Sequence, residues 1–110
     1  MPNVKLYVDE TIYGSCRAAL TETLPVLRET LCRELGVAAS ACQFAVIPVL
    51  GLSDQPGINV EMQIMPKPER TREVVVGVCE ALRGLVGEAT GASVAVRVAA
   101  LDPVSYVALK

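Results

Sequence analysis

Residues Ile58-Asn59-Val60-Glu61-Met62-Gln63-Ile64 alternate apolar and polar without a break, the period of two that gives a strand one dry and one wet face. Just before this strand, Gly51 to Gly57 supplies the Ser, Asp, Pro and Gly of a loop. Earlier still, Cys42 to Leu50 is a short apolar run with Phe44, Val46, Ile47 and Val49, the length of a buried strand. Ahead of it, Cys16, Leu20, Leu24, Leu27, Leu31 and Leu35 recur at spacings of three and four. Ser15 to Leu35 therefore reads as one amphipathic helix closed by Gly36, with a kink or a late start expected at Pro25. From Pro2 to Asp9 the alternation returns, Val4, Leu6 and Val8 against Asn3, Lys5 and Tyr7. On the C-terminal side Pro66, Pro68 and Glu69 end the strand, and from Arg70 the residues Val74, Val78, Leu82, Leu85 and Ala89 define a second helix closed near Gly91. Val94, Val96 and Val98 form a last strand, and Pro103 begins a tail that runs through Tyr106 to Lys110.

The order is β-α-β followed by β-α-β, an α+β fold in one domain, 1–110, built of two similar halves at about 2–50 and 58–101. Right-handed crossovers put both helices on one face of a four-stranded sheet. Gly77, Gly84 and Gly87 lower the second helix's propensity by up to ~1 kcal/mol each, so packing must hold it. The other sheet face collects Lys5, Tyr7, Gln43, Asn59, Glu61, Gln63 and Arg97. No element is left to cover it, so it meets solvent or another subunit.

Composition narrows the functional classes. A chain of 110 residues that is 52 % hydrophobic predicts one compact domain, and its small size favours self-association. A net charge of −2 with no Lys/Arg run speaks against nucleic acid as a partner. The sequence contains no apolar stretch of about 18 residues and no basic n-region with an apolar h-region, so neither a membrane partner nor secretion is expected and the protein reads as cytoplasmic. Cys16, Cys32, Cys42 and Cys79 form no CxxC pair, and histidine is absent, so no metal site and no histidine base is expected. The cysteines read as reduced core thiols.

Few groups remain for chemistry. Met1-Pro2 is one, because a small second residue lets the initiator Met be removed and leaves a secondary amine at the head of a strand. An α-amino group titrates near ~7.7 to 8.0, and burial or a neighbouring cation lowers that value toward working pH. A base poised there suits proton abstraction beside a carbonyl.

With Pro2-Asn3-Val4 leading into a strand, Arg70-Thr71-Arg72-Glu73 at the second helix and Tyr106-Val107-Ala108-Leu109-Lys110 at the close, the chain resembles the tautomerase superfamily. That superfamily includes 4-oxalocrotonate tautomerase, macrophage migration inhibitory factor and 5-carboxymethyl-2-hydroxymuconate isomerase. The resemblance implies a homotrimer without cofactor, acting on a small-molecule oxo-acid, with processed Pro2 as catalytic base. It implies that Arg70 binds a substrate carboxylate and stabilises an enolate. Arg72, Lys67, Gln43 and Tyr106 follow as substrate-binding candidates.

Two departures stand beside it. An arginine that several members carry at the start of the second strand is replaced by Ala41-Cys42-Gln43, and the region after the first strand reads Asp9-Glu10-Thr11-Ile12-Tyr13, also without arginine. Gln43 or Tyr13 can donate only a neutral hydrogen bond there. A trimer that keeps the scaffold without turnover, and a monomeric ferredoxin-like binding module, are the other readings.

Overall fold

The computed structural model describes residues 2–110. The elements run β1 (Asn3–Asp9), α1 (Glu10–Leu35), a short 3-10 turn (Ala39–Ala41), β2 (Gln43–Val49), β3 (Ile58–Ile64), α2 (Arg72–Thr90) and β4 (Val94–Ala100). The α+β expectation holds. The four strands form one sheet in the order β2-β1-β3-β4, with β1/β2 and β3/β4 parallel and β1/β3 antiparallel at the centre.

Register fixes which side chains share a face. Val4 pairs with Phe44 and Met62, and Met62 pairs with Val98; Leu6 pairs with Val46 and Val60, and Val60 with Val96. These rows face the helices, where Val4, Leu6, Val8, Ile58, Val60, Met62 and Ile64 are buried against Leu20, Leu27, Leu31, Val78, Leu82 and Val86. The opposite rows run Gln43–Asn3–Gln63–Ala99 and Ala45–Lys5–Glu61–Arg97, and nothing in the described chain covers them.

The first helix begins earlier than its leucine stripe suggests. Asp9 ends β1 and caps α1 at once, its carboxylate accepting from the Thr11 amide at 2.9 Å and from the Thr11 hydroxyl at 2.6 Å. These two bonds, the hydroxyl's first, hold the Asp9 carboxyl below its ordinary range. Ile12 lies four residues before Cys16 and eight before Leu20, so the stripe did extend to this turn. The helix then continues through exposed Pro25 and stops at Gly36, whose left-handed φ of 65° favours glycine.

The second helix starts two residues later than expected, at Arg72. Thr71 is its cap, accepting from the Val74 amide at 3.3 Å, and the inner stripe ends on Val86 rather than Leu85 and Ala89, which are only half-buried. β2 is a half-buried edge strand rather than a buried one. Pro48, which cannot donate to a ladder, is tolerated because it sits there. Among the described residues, no helix is long and apolar enough to cross a membrane.

Candidate functional site

Pro2 is buried at the head of β1. Its carbonyl accepts the Gln43 amide at 3.0 Å, which extends the β1/β2 ladder by one residue and fixes the proline backbone. The antiparallel partner β3 finishes at this end of the sheet, and the Ile64 carbonyl accepts the Leu101 amide at 2.8 Å, so the C-terminal tail starts here too. The segment after β3 then turns through Lys67, whose carbonyl accepts the Arg70 amide at 3.0 Å.

Arg70 is 9 % exposed. Its Nη1 donates to the Met65 carbonyl at 2.7 Å and its Nη2 to the Leu35 carbonyl at 3.3 Å, while Nε is buried with no partner among the described residues. Leu35 is the last residue of α1, so this carbonyl is one that the helix itself leaves unbonded, and it lies at the negative end of the helix dipole. The guanidinium thus ties the end of α1 to the segment leaving β3, at the same end of the sheet as Pro2. Neither a solvated cation nor an idle fork describes it: two donors are engaged on main-chain oxygens.

The other candidates spread outward from this end. Arg72 is exposed in the first turn of α2, where the helix dipole gives a cation no support, and Lys67 is exposed between Pro66 and Pro68. The Gln43 side chain is exposed on the uncovered sheet face, in one row with Asn3 and Gln63. Tyr106 is half-buried in the tail, its amide donating to the Asp102 carbonyl at 2.9 Å. Tyr13 is half-buried in the first turns of α1, at the opposite end of β1 from Pro2. Topology therefore gathers Pro2, the start of β2 with Gln43, Arg70 and the origin of the tail. Removal of Met1 lies outside the described residues. A concavity of about 250 Å³ lined by Tyr7, Asp9, Gln55, Asn59 and Glu61 lies at the other end of the strands. Among the described residues no three His, Cys, Asp or Glu side chains converge as metal ligands would.

No family model and no curated protein matches the sequence. Solved structures do. The F6 fused 4-OT wild type, an asymmetric trimer, superposes with a TM-score of 0.73 at 13 % identity, over 96 % of this chain and 91 % of that one. The fold is that of the tautomerase superfamily. A macrophage migration inhibitory factor-like protein from Entamoeba histolytica shares the tautomerase fold with a TM-score of 0.68 at 13 % identity, over 97 % of this chain and 94 % of that one. Pt0534, in a crystal structure of the protein inactivated by 2-oxo-3-pentynoate, gives 0.71 at 18 %, over 90 % and 85 %.

The backbone role of Arg70 could not be read from the sequence, because its two acceptors lie 5 and 35 residues away and main-chain oxygens leave no mark in residue type. Sequence also missed that Cys32 and Cys42 are neighbours. A signal existed: only seven residues separate α1 from β2, so a cysteine in the last turn of one and a cysteine at the threshold of the other return to the same corner.

Proposed function

We propose that the chain is a cofactor-independent tautomerase or isomerase of a small unsaturated oxo-acid, with Pro2 as general base once Met1 is removed. The observation that carries this reading is a buried proline at the head of β1, on a fold shared with 4-OT proteins. A secondary amine at a buried position, at the sheet end that also holds the Arg70 guanidinium, has its ammonium form disfavoured and is available as a base near neutral pH. It takes a proton from the carbon beside the substrate carbonyl, and the electron pair moves onto the carbonyl oxygen as an enolate. The ammonium returns that proton at another carbon of the conjugated system.

Because Arg70 already holds Met65 and Leu35, its part is to position the segment and supply positive potential, and exposed Arg72 and Lys67 are the cations open to a substrate carboxylate. Gln43 and Tyr106 offer neutral donors from the sheet and the tail. Pt0534 is inactivated by 2-oxo-3-pentynoate, which supports an unsaturated oxo-acid as the substrate class. A homotrimer supplies the cover that the bare sheet face lacks, as the trimeric 4-OT neighbours suggest. The same amine in its charged form would serve a decarboxylase or hydratase as an acid.

The second reading, a binding or structural trimer without turnover, is favoured by one observation: Arg70 is engaged on the main chain and Gln43 stands where an arginine would assist. Ketonisation of a phenylenolpyruvate-type enol separates the two. Pro2→Ala is expected to lose at least about 100-fold in kcat/KM, in line with general-base contributions, with the oligomer and helical signal unchanged. Equal rates in wild type and variant would rule out Pro2 as the base, and no measurable ketonisation by wild type together with an intact mass that retains Met1 would support the second reading instead.

A further inference from the structure

Cys32 and Cys42 belong to different elements, and the crossover from β1 through α1 to β2 brings them back together. Cys32 lies in the last turns of α1, four residues after Arg28 and on the same helix face. Cys42 follows the 3-10 turn and directly precedes β2. Arg28 and Cys42 line one concavity of about 320 Å³ with Leu24, Pro25 and Phe44, so Cys42 faces the α1 stripe that Cys32 continues. The main chain stacks in the same sense: the Val37 amide donates to the Cys32 carbonyl at 3.2 Å, and the carbonyl of the next residue, Ala38, accepts from the Cys42 thiol at 3.9 Å. The two half-buried cysteines are thus neighbours at one corner of the crossover, close enough for Cys32 to act on the Cys42 thiol, and both are free. Burial pushes the Cys42 thiol up and its neighbour Cys32 adds to the effect, with Arg28 opposing. Cys16 is in the core, and Cys79 opens onto a separate concavity beside β4.

We propose that Cys32 and Cys42 form a modification site, a dithiol that closes to an intrachain disulfide by exchange with a small-molecule disulfide. One cysteine, deprotonated, attacks a sulfur of the incoming disulfide, breaking its S–S bond and expelling one thiolate. The second cysteine then attacks its neighbour's sulfur in the mixed disulfide, forming the intrachain bond and expelling the second thiolate. The protein dithiol loses two electrons and two protons, and the incoming disulfide gains them as two thiols. The pairing gives the site its selectivity, because a mixed disulfide formed on either cysteine has its resolving thiol already beside it, whereas one formed on Cys79 has to wait for a second molecule. This inference does not depend on Pro2 chemistry.

Glutathione disulfide titrated into the reduced native protein tests it, read by intact mass and by tryptic mapping without reductant. Arg28 and Arg33 bracket Cys32, so trypsin releases it apart from Cys42 and a bridge is visible as a linked pair of peptides. The expected result is loss of the mass of two hydrogens with no retained glutathione, and a linkage of Cys32 to Cys42 that reductant reverses. Cys42→Ser should instead stop at a stable glutathione adduct on Cys32. A wild type that stays fully reduced, accumulates glutathione on both residues, or links other cysteines would overturn the proposal, and that readout stands whether or not the serine variant folds.

Discussion

A guanidinium that is nine-tenths buried is costly without partners, and Arg70 engages two main-chain oxygens at the Pro2 end of the sheet through Nη1 and Nη2 while Nε has no partner among the described residues. Charge-assisted hydrogen bonds contribute about 1.5–3 kcal/mol each, and removing one partner leaves a buried carbonyl unsatisfied. Arg70→Met is therefore expected to lower unfolding stability by roughly 3 kcal/mol in urea titration, through loss of both bonds. Unchanged stability would mean that the guanidinium is held for substrate alone. Asp9 gives a second prediction at this scale. Its carboxyl is held below the ordinary 3.8 by the Thr11 hydroxyl and amide, so its contribution is fully present above that unfolded value and disappears as pH falls through the lower folded value. Asp9→Asn keeps a capping oxygen but cannot titrate, so its melting temperature should fall less steeply than wild type between pH 5 and pH 2 in a scan of thermal unfolding by circular dichroism.

Helix α2 shows how far an element can be read from sequence alone. Its glycines should weaken it, and Gly77 and Gly84 have open space where a Cβ would stand. Gly77→Ala is expected to stabilise the chain by up to about 1 kcal/mol, seen as a rise in urea midpoint; a fall would mean that something covers this position in the assembled protein. The period-two strands were legible, β3 to the residue and β1 to within one, because every second side chain is either in the core or outside it. The start of α1 was not, because one residue, Asp9, ends a strand and caps a helix with no loop between, and the leucine stripe marks only where the helix meets the core. Pro25 does not delay the helix because it lies on the exposed side, where a missing amide leaves a carbonyl that water can reach. Of the candidate site, Pro2 announces itself by position and type. The ties of Arg70 and the nearness of Cys32 to Cys42 depend on where the crossover returns the chain, which no local pattern encodes.

For the whole molecule, surface area is the deciding quantity. A monomer of 11.7 kDa exposes about 5,900 Å² by the usual mass scaling, and this chain exposes 6738 Å². Its radius of gyration, 14.0 Å, also exceeds the roughly 13 Å of a compact domain of this length. The excess comes from a sheet with helices on one side only and from apolar side chains left outside, Leu50 and Leu52 after β2 and Val104, Val107 and Leu109 in the tail. On the bare face several polar groups are already paired laterally, Lys5 donating to Asn3, Arg97 to Asn59 and Asn59 to Glu61, which lowers the cost of a second copy meeting it. Tyr7 sits in the middle of that face, in the row Ile47–Tyr7–Asn59, with its side chain turned away from the core. A carboxylate there would lie on the face that also carries Asp9 and Glu61 and be desolvated in any assembly, while the nearby cations Lys5 and Arg97 are already engaged with Asn3 and Asn59. Tyr7→Glu is accordingly expected to weaken self-association by about 100-fold or more, the loss typical of a central interface residue, while the helical signal is retained. Light scattering across a dilution series measures this: a wild type at three times the chain mass and a variant at 11.7 kDa is the expected pair. Identical masses for the two would mean that copies assemble through some other surface and that the sheet face stays in water.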